Sequence, residues 1–214
     1  MTQYGFYFDS TRCTGCRTCE MACKDYKDLP QTLALRRVYD YEGGTWNDAG
    51  NGVYTSDAFA YHVSLGCQHC AMPACMANCP SAAIEKDTET GLVHIDEEKC
   101  TGSGACVTSC PYNVPVLDTE NKKGLKCDGC AERVAAGMNP ICVEACPLRA
   151  LEFGDIEELR SKHPDTVDGI APMPTGEQTT PSIAINPCPA AKEPGDKTGA
   201  IANEKEVTDV PAAF

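Results

Sequence analysis

The stretch CTGCRTCEMACK, residues 13–24, spaces four cysteines as C-x2-C-x2-C-x3-C. The pattern recurs in CQHCAMPACMANCP (67–80), with two extra residues in the middle gap, and in CTGSGACVTSCP (100–111), where Ser103 stands in place of the second cysteine. A fourth group, CDGCAERVAAGMNPICVEACP (127–147), has a long middle gap. The chain is therefore built around four related cysteine runs, and three of them end in Cys-Pro.

This spacing is typical of iron–sulfur proteins. Three close cysteines wrap a loop around three corners of a cubane cluster, and the fourth lies where the chain turns helical and points to a neighbouring cluster. A proline after the fourth cysteine cannot extend a hydrogen-bond ladder and helps to fix the turn. Four such runs in one chain are a much more specific signal than one.

Zinc and disulfide bonds are the competing interpretations of the sixteen cysteines. Zinc prefers tetrahedral sets of Cys and His and does not need x2-x2-x3 runs. Disulfides suit small secreted chains, and the N-terminal MTQYGFYFDS has no apolar signal core and no twin arginine. The spacing therefore favours clusters. Cys188 lies outside every run, so we expect a free thiol or a packing residue there, with a role as a missing ligand as the alternative.

Length and charge restrict the class of protein. A chain of 214 residues suits one compact domain or two small ones. The net charge of −13, without a basic patch, argues against binding of nucleic acid or direct binding to anionic lipid. No stretch approaches the roughly 18 apolar residues of a transmembrane helix. No Ser/His/Asp set or phosphate loop stands out, so we expect no catalytic residue and no small-molecule substrate.

Short apolar stretches bounded by turn residues predict strands beside the runs. They lie at Tyr4–Phe8, Phe59–Leu65, Leu92–Ile95 and Leu151–Phe153. The glycine pair at 43–44 and the Asn-Gly step at 51–52 predict a β-hairpin insertion within residues 30–58, and DIEELRSKH (155–163) predicts a terminal helix. The repeated order of short strand, cysteine loop and helix indicates an α+β fold with two tandem ferredoxin-like modules.

The composition changes after residue 163. Eight of the fifteen prolines lie in residues 164–214, and the segment has little periodicity. Such a segment cannot bury a core by itself and orders by lying across a partner. We therefore predict a four-cluster ferredoxin-like domain over residues 1–163 and an extended, partner-wrapping tail over residues 164–214.

Longer stretches resemble the iron–sulfur subunit of dimethyl sulfoxide reductase, the electron-transfer member of a three-part membrane oxidoreductase in the molybdoenzyme-associated, four-cluster ferredoxin family. The likeness runs from residue 3 to about residue 207. It is carried by QYGFYFDSTRCTGC (3–16), ACKDYKDL (22–29), CPSAA (79–83), KCDGC (126–130) and PICVEACPLRALEFGDIEELRSKH (140–163). Nitrate reductase and formate dehydrogenase have more distant relatives of this subunit.

The resemblance implies that the first run pairs with the fourth to form one module, and the second with the third to form the other, over residues 59–118. Each run would lend its last cysteine to its partner's cluster. The implied ligand groups, named sets 1 to 4 below, are Cys13, Cys16, Cys19 and Cys146 (set 1); Cys127, Cys130, Cys142 and Cys23 (set 2); Cys67, Cys70, Cys75 and Cys110 (set 3); and Cys79, Cys100 and Cys106 (set 4).

Ser103 leaves set 4 with three cysteines. A serine hydroxyl is a poor iron ligand until it is deprotonated, and its oxygen is harder than thiolate sulfur. Dimethyl sulfoxide reductase relatives usually have cysteine at this position, whereas nitrate reductase relatives have tryptophan and a 3Fe–4S cluster. We therefore predict three 4Fe–4S clusters and one 3Fe–4S cluster, the alternative being four 4Fe–4S clusters with Ser103 or water as a ligand.

The resemblance also implies the role and the partners. The protein would be a non-catalytic electron-transfer subunit that carries electrons from an integral membrane, quinol-binding anchor subunit to a molybdopterin catalytic subunit. That partner would reduce dimethyl sulfoxide or a related S- or N-oxide in anaerobic respiration. The complex would be membrane-associated, on the extracytoplasmic face, by co-export with a twin-arginine partner.

A free soluble polyferredoxin is the alternative function. The tail argues against it, since a free carrier has no use for a long wrapping segment.

Overall fold

The computed structural model of the protein describes residues 2–204, a part that holds twelve strands and six short helices. The strands are β1 (Tyr4–Asp9), β2 (Arg37–Gly43), β3 (Trp46–Gly50), β4 (Val53–Ser56), β5 (Phe59–Leu65), β6 (Ile84–Lys86), β7 (Val93–Ile95), β8 (Val116–Asp118), β9 (Lys123–Leu125), β10 (Leu151–Asp155), β11 (Ile183–Asn186) and β12 (Gly199–Ile201). The helices are α1 (Thr18–Tyr26), α2 (Ala74–Ala77), α3 (Ala105–Ser109), α4 (Ala131–Ala135), α5 (Ile141–Ala145) and α6 (Ile156–Lys162).

The predicted elements are present. All four predicted strands form, as β1, β5, β7 and β10, and the predicted terminal helix is α6. The α+β class is confirmed, with five small sheets rather than one large one. Within residues 2–204, no helix has the length and apolar character that crossing a bilayer requires.

Strand β1 is the centre of a three-stranded sheet. It pairs antiparallel with β10, where Phe6 lies opposite Phe153, and parallel with β11, where Phe8 lies opposite Ile185. Because side chains alternate along a strand, Phe6 and Phe8 enter the main core while Tyr7 packs beneath α6. Both faces of β1 are therefore covered, which suits its nearly continuous apolar sequence.

A second sheet carries the insertion. Strand β2 pairs with β5 over seven residues and with β12 on its other side. The predicted hairpin is formed by β3 and β4, with Asn51 and Gly52 at its turn. Both turn residues have positive φ, 55° and 74°, as a two-residue hairpin turn of this kind requires. All residues of β3 and β4 are exposed, so the hairpin stands away from the core.

The helices begin directly after the cysteine loops. Arg17, Gly104 and Cys130 precede α1, α3 and α4, and each has a left-handed backbone without a side-chain cap. The loop thus turns sharply into the helix and brings the last cysteine of the run inward. Helix α1 packs against α5, and α2 packs against α3. The helices of the first and fourth runs are therefore neighbours, as are those of the second and third.

The described part of the tail packs on the protein's own body. Strand β11 extends the β1 sheet and β12 extends the β2 sheet. Ile170, Ala171 and Met173 are fully buried in the main core, and the Tyr61 hydroxyl donates to the Ala171 carbonyl oxygen at 2.8 Å. Residues 164–204 are thus ordered against the protein's own body, because strand pairing and scattered apolar residues supply a core within the same molecule. The wrapping of the tail around a partner stays a prediction. Residues 205–214 lie outside the described part.

Candidate iron–sulfur centres

Set 1 surrounds one cavity between the first and fourth runs. Its four cysteines line the cavity together with Phe8, Val38 and Leu151. At the exposed edge, the Thr18 hydroxyl donates to the Cys16 sulfur at 3.4 Å and lowers the pKa of Cys16. Set 1 is therefore apolar on its inner side and open to solvent at one cysteine.

Set 2 is the most enclosed group. Cys23, Cys127, Cys130 and Cys142 are each 4–7% exposed. Burial, with the charges of Cys142 and Cys130, raises the pKa of Cys23 to about 12. These thiols are thus close enough for their charges to act on one another, and an ion pair of 2.8 Å between Lys27 and Asp128 joins their loop to α1.

Set 3 surrounds a cavity between the second and third runs. Cys67, Cys70, Cys75 and Cys110 line it, with Val93 and Pro115 among the apolar neighbours. Burial raises the pKa of both Cys70 and Cys75 to about 12. Such thiols stay protonated unless a bound cation makes the thiolate favourable.

Set 4 lines a cavity together with Ser103. The loop around Ser103 has the same backbone form as the loop around Cys16, since Gly102 and Gly15 follow the same Cys-Thr pair with φ of 68° and 67°. The Ser103 hydroxyl accepts from the Ala105 N–H at 3.4 Å. Ser103 therefore lines the cavity of set 4 beside its three cysteines, in a loop that resembles the loop around Cys16.

Backbone N–H groups point at sulfur in every set. Ala150 donates to Cys146, Gly129 to Cys127, His69 to Cys67, and Ala83 and Gly124 donate to Cys79 and Cys100, at 3.3–3.5 Å. Hydrogen bonds of this kind stabilise thiolate charge and tune iron–sulfur clusters. The loops are thus built for charged sulfur.

The spacing of the thiols fits clusters better than single ions. A zinc site needs its ligands about 2.3 Å from one atom. Among the described residues, no three His, Cys, Asp or Glu side chains converge closely enough to hold one metal ion. The thiols of sets 1, 3 and 4 line cavities instead, as a bound group of several atoms requires. Soft thiolates in dry cavities are the ligands that iron–sulfur clusters use.

The four sets follow one another through the molecule. The charge of Cys142 in set 2 acts on Cys19 in set 1, and that of Cys67 in set 3 acts on Cys127 in set 2. Cys75 of set 3 and Cys106 of set 4 share one apolar cluster. The order is therefore set 1, set 2, set 3, set 4, with exposed residues at both ends, Cys16 and Ser103.

Sequence reasoning missed Arg36. Its side chain is 3% exposed, and it donates to the Ser64 hydroxyl at 3.1 Å, which lies 3.3 Å from the Cys19 sulfur. Although burial alone disfavours its charge, Cys142 and Cys19 raise the pKa of Arg36. This cation lies between sets 1 and 2, and nothing in its local sequence distinguishes it from a surface arginine.

His69, inside the second run, is not among the residues that line the set 3 cavity. Its ring is fully buried and accepts from the Val93 N–H at 2.9 Å. Burial and the nearby charge of Lys126 hold the pKa of His69 well below its usual range. The ring therefore supports the loop as a neutral group. Cys188 packs against the main core and does not line the cavities of sets 1, 3 and 4.

The sequence is similar to those of known iron–sulfur proteins. A family model for a 4Fe-4S dicluster domain matches residues 58–156. The sequence is 52% identical over 206 residues to the B subunit of anaerobic dimethyl sulfoxide reductase of Escherichia coli, covering 96% of this protein and 99% of that one. It is 49% identical over 207 residues to the same subunit of Haemophilus influenzae, covering 97% and 100%.

A more distant relative is the formate dehydrogenase iron-sulfur subunit of Haemophilus influenzae, which is 31% identical over 160 residues, covering 71% of this protein and 51% of that one. The predicted resemblance is confirmed along nearly the whole sequence by the two dimethyl sulfoxide reductase subunits. These matches show that the protein belongs to the family of non-catalytic iron–sulfur electron-transfer subunits of anaerobic dimethyl sulfoxide reductase.

Proposed function

We propose that the protein relays single electrons from a quinol-oxidising membrane anchor subunit to a molybdopterin catalytic subunit. The linear order of the four cysteine sets carries this proposal. A relay between two partners needs a redox centre near the surface at each end and shielded centres between them. Sets 1 and 4 have exposed edges, and set 2 is fully enclosed.

The ligand assignment belongs to this proposal. Sets 1, 2 and 3 each hold a 4Fe–4S cluster through four cysteines, and set 4 holds a 3Fe–4S cluster through Cys79, Cys100 and Cys106. The common cavities of sets 1, 3 and 4 support it, as does the mutual influence of the thiols in set 2. A 4Fe–4S cluster at set 4, with Ser103 or water as the fourth ligand, is the alternative.

The protein's own residues shape the transfer. When bound, the clusters supply reversible one-electron chemistry. The loops exclude water, the backbone N–H groups stabilise the ligand sulfurs, and buried cations offset negative charge. The protein binds no organic substrate, so bond-making belongs to the catalytic partner. The dimethyl sulfoxide reductase relatives favour dimethyl sulfoxide or a related S- or N-oxide as that partner's substrate.

The two ends have different partners in this proposal. The set 4 end faces the quinol-binding anchor, and the set 1 end faces the catalytic subunit. The complex lies on the extracytoplasmic face of the membrane, by co-export with a twin-arginine partner. Protease added to spheroplasts digests the protein if this holds, and protection of the protein until lysis would contradict the location.

Co-purification tests the function. A tag on this protein should recover a large molybdenum subunit and a small membrane subunit from detergent-solubilised membranes, and quinol should then reduce the clusters. A soluble, monomeric holoprotein recovered from native membranes would support the free polyferredoxin instead. The self-packed tail removes the main sequence argument against that carrier, so this experiment decides between the two.

Electron paramagnetic resonance tests the cluster at set 4. The oxidised complex should show a 3Fe–4S signal that disappears on reduction, together with signals of reduced 4Fe–4S clusters. Absence of the 3Fe–4S signal in the oxidised complex would favour the four-iron alternative.

A further inference from the structure

Lys126 is a buried cation at the junction between the two modules. Lys126 is 6% exposed and lies next to Cys127 in the sequence. Its ammonium group donates to the Cys127 carbonyl oxygen at 2.7 Å, to the Val93 carbonyl oxygen, and to the Cys67 sulfur at 3.7 Å. The three N–H bonds of the ammonium thus have three acceptors.

No carboxylate compensates this charge. Among the described residues, no Asp or Glu forms an ion pair with Lys126, although ion pairs are common elsewhere on the surface. A buried cation is costly unless an anion lies close to it. The Cys67 sulfur is the acceptor that becomes anionic when it binds iron. The charge of Lys126 also opposes the effect of burial, which raises the pKa of Cys75 and Cys110.

The two contacts of Lys126 belong to different modules. Its backbone precedes Cys127 of set 2, and its ammonium reaches Cys67 of set 3. Cys67 and Cys127 are themselves close enough for their charges to interact. Lys126 therefore occupies the place where an electron passes from one module to the other.

We propose that Lys126 is a positioning residue that holds the Cys67 sulfur and raises the reduction potential of the cluster at set 3. The inference rests on the ligand sets given under the proposed function. Reduction adds one electron, and a fixed positive charge beside a ligand sulfur stabilises the added negative charge. The effect is strong because the site is buried and little water screens it.

Lys86 offers a matched control. It also lies near set 3, where it donates to the Cys70 carbonyl oxygen at 2.6 Å and to the Gln3 side chain at 2.7 Å. It is half-buried and makes no hydrogen bond to sulfur. Removing its charge therefore tests the general effect of a nearby lysine without the sulfur contact.

The experiment is a redox titration of the purified complex, followed by electron paramagnetic resonance, with Lys126→Met, Lys126→Gln and Lys86→Met. A Cys67→Ser variant identifies which signal belongs to set 3. At a fixed potential, both neutral Lys126 variants should lower the ratio of reduced to oxidised set 3 cluster by about tenfold, which is a shift of about 59 mV. Lys86→Met should change the ratio of reduced to oxidised set 3 cluster by less than about threefold.

Each outcome has a meaning. An unchanged midpoint in either neutral Lys126 variant, or an equal shift in Lys86→Met, overturns the inference. If both neutral variants fail to assemble the cluster, Lys126→Arg decides: assembly with Arg at a midpoint close to that of the unchanged protein upholds the inference, and loss of the cluster with Arg as well overturns it. If Cys67→Ser leaves every cluster signal intact, Cys67 is not a ligand and the ligand assignment in the proposed function is wrong. That outcome is distinct from an unchanged midpoint in the Lys126 variants, which overturns only the inference about Lys126.

Discussion

Replacing Met173 by alanine tests whether the proline-rich segment belongs to the folded body. Met173 is 0% exposed and lies in the main core, far along the sequence from the cysteine runs. The Gly195 N–H donates to its carbonyl oxygen at 2.7 Å, which joins two parts of the tail. Met173→Ala removes a side chain that the tail contributes to a core shared with β1 and β5.

The magnitude follows from complete burial. A buried Met→Ala substitution costs about 2–5 kcal/mol, since it loses apolar contact and leaves a cavity. In a protein of this size, each kcal/mol lowers the unfolding temperature by about 2–4 °C. We therefore expect Met173→Ala to lower it by about 4–20 °C.

Met138→Ala is the matched control. Met138 is 45% exposed in the loop between α4 and α5, so its truncation should change the free energy of unfolding by less than about 0.5 kcal/mol. Both variants are heated with their clusters bound, without oxygen and without partner subunits. One scan rate is used throughout, because the apparent temperature of an irreversible transition depends on the scan rate. Cluster absorbance and far-ultraviolet circular dichroism report the transition.

Equal unfolding temperatures for the two methionine variants would refute the reasoning. That result would mean that the tail is not part of the cooperatively folded body when partners are absent. It would restore the view of residues 164–204 as an arm that orders on another subunit.

Three further predictions concern the clusters. Ser103→Cys should add one iron atom per protein molecule and abolish the oxidised 3Fe–4S signal, because the loop already holds position 103 as it holds a ligating cysteine; persistence of the signal would contradict this. Arg36→Met should lower the reduction potentials of the clusters at sets 1 and 2 in a redox titration, whereas Arg12→Met should not, since the Arg12 side chain is 60% exposed and screened. Gly102→Ala should reduce the iron content of set 4, because the φ of Gly102 is 68° and an added Cβ would overlap the Lys122 carbonyl group. Gly154 has open space around it, so Gly154→Ala should bind the normal amount of iron.

Local patterns were enough to predict the family and the fold class. Cysteine spacing and long similar stretches indicated an iron–sulfur subunit, which the relatives confirm. Short apolar stretches bounded by turn residues predicted β1, β5, β7 and β10, and Asn51-Gly52 predicted the hairpin turn. These signals are readable because the boundaries of a short strand and the geometry of a turn depend on neighbours in sequence. The assignment of ligands to individual clusters and the domain bounds stay predictions.

Tail packing depended on the tertiary fold. Residues 164–204 have a composition that predicts disorder, yet β11 and β12 complete two sheets whose other strands lie far earlier in the sequence. Pairing partners at such separation leave no local pattern. A short apolar stretch between prolines is stable only because other segments supply a sheet edge and a core for it to pack against.

The cysteine runs by themselves predicted that this protein holds iron–sulfur clusters, since ligand spacing is a property of short loops, and the longer similar stretches predicted what kind of subunit it is. Only the tertiary structure decided the order of the four sets, their exposure at two ends, and the burial of Arg36 and Lys126 between them. The burial of a charge and its distance from a sulfur are set by segments that are remote in sequence. The same Lys-Cys pair on an exposed loop would carry no electrostatic effect of comparable size.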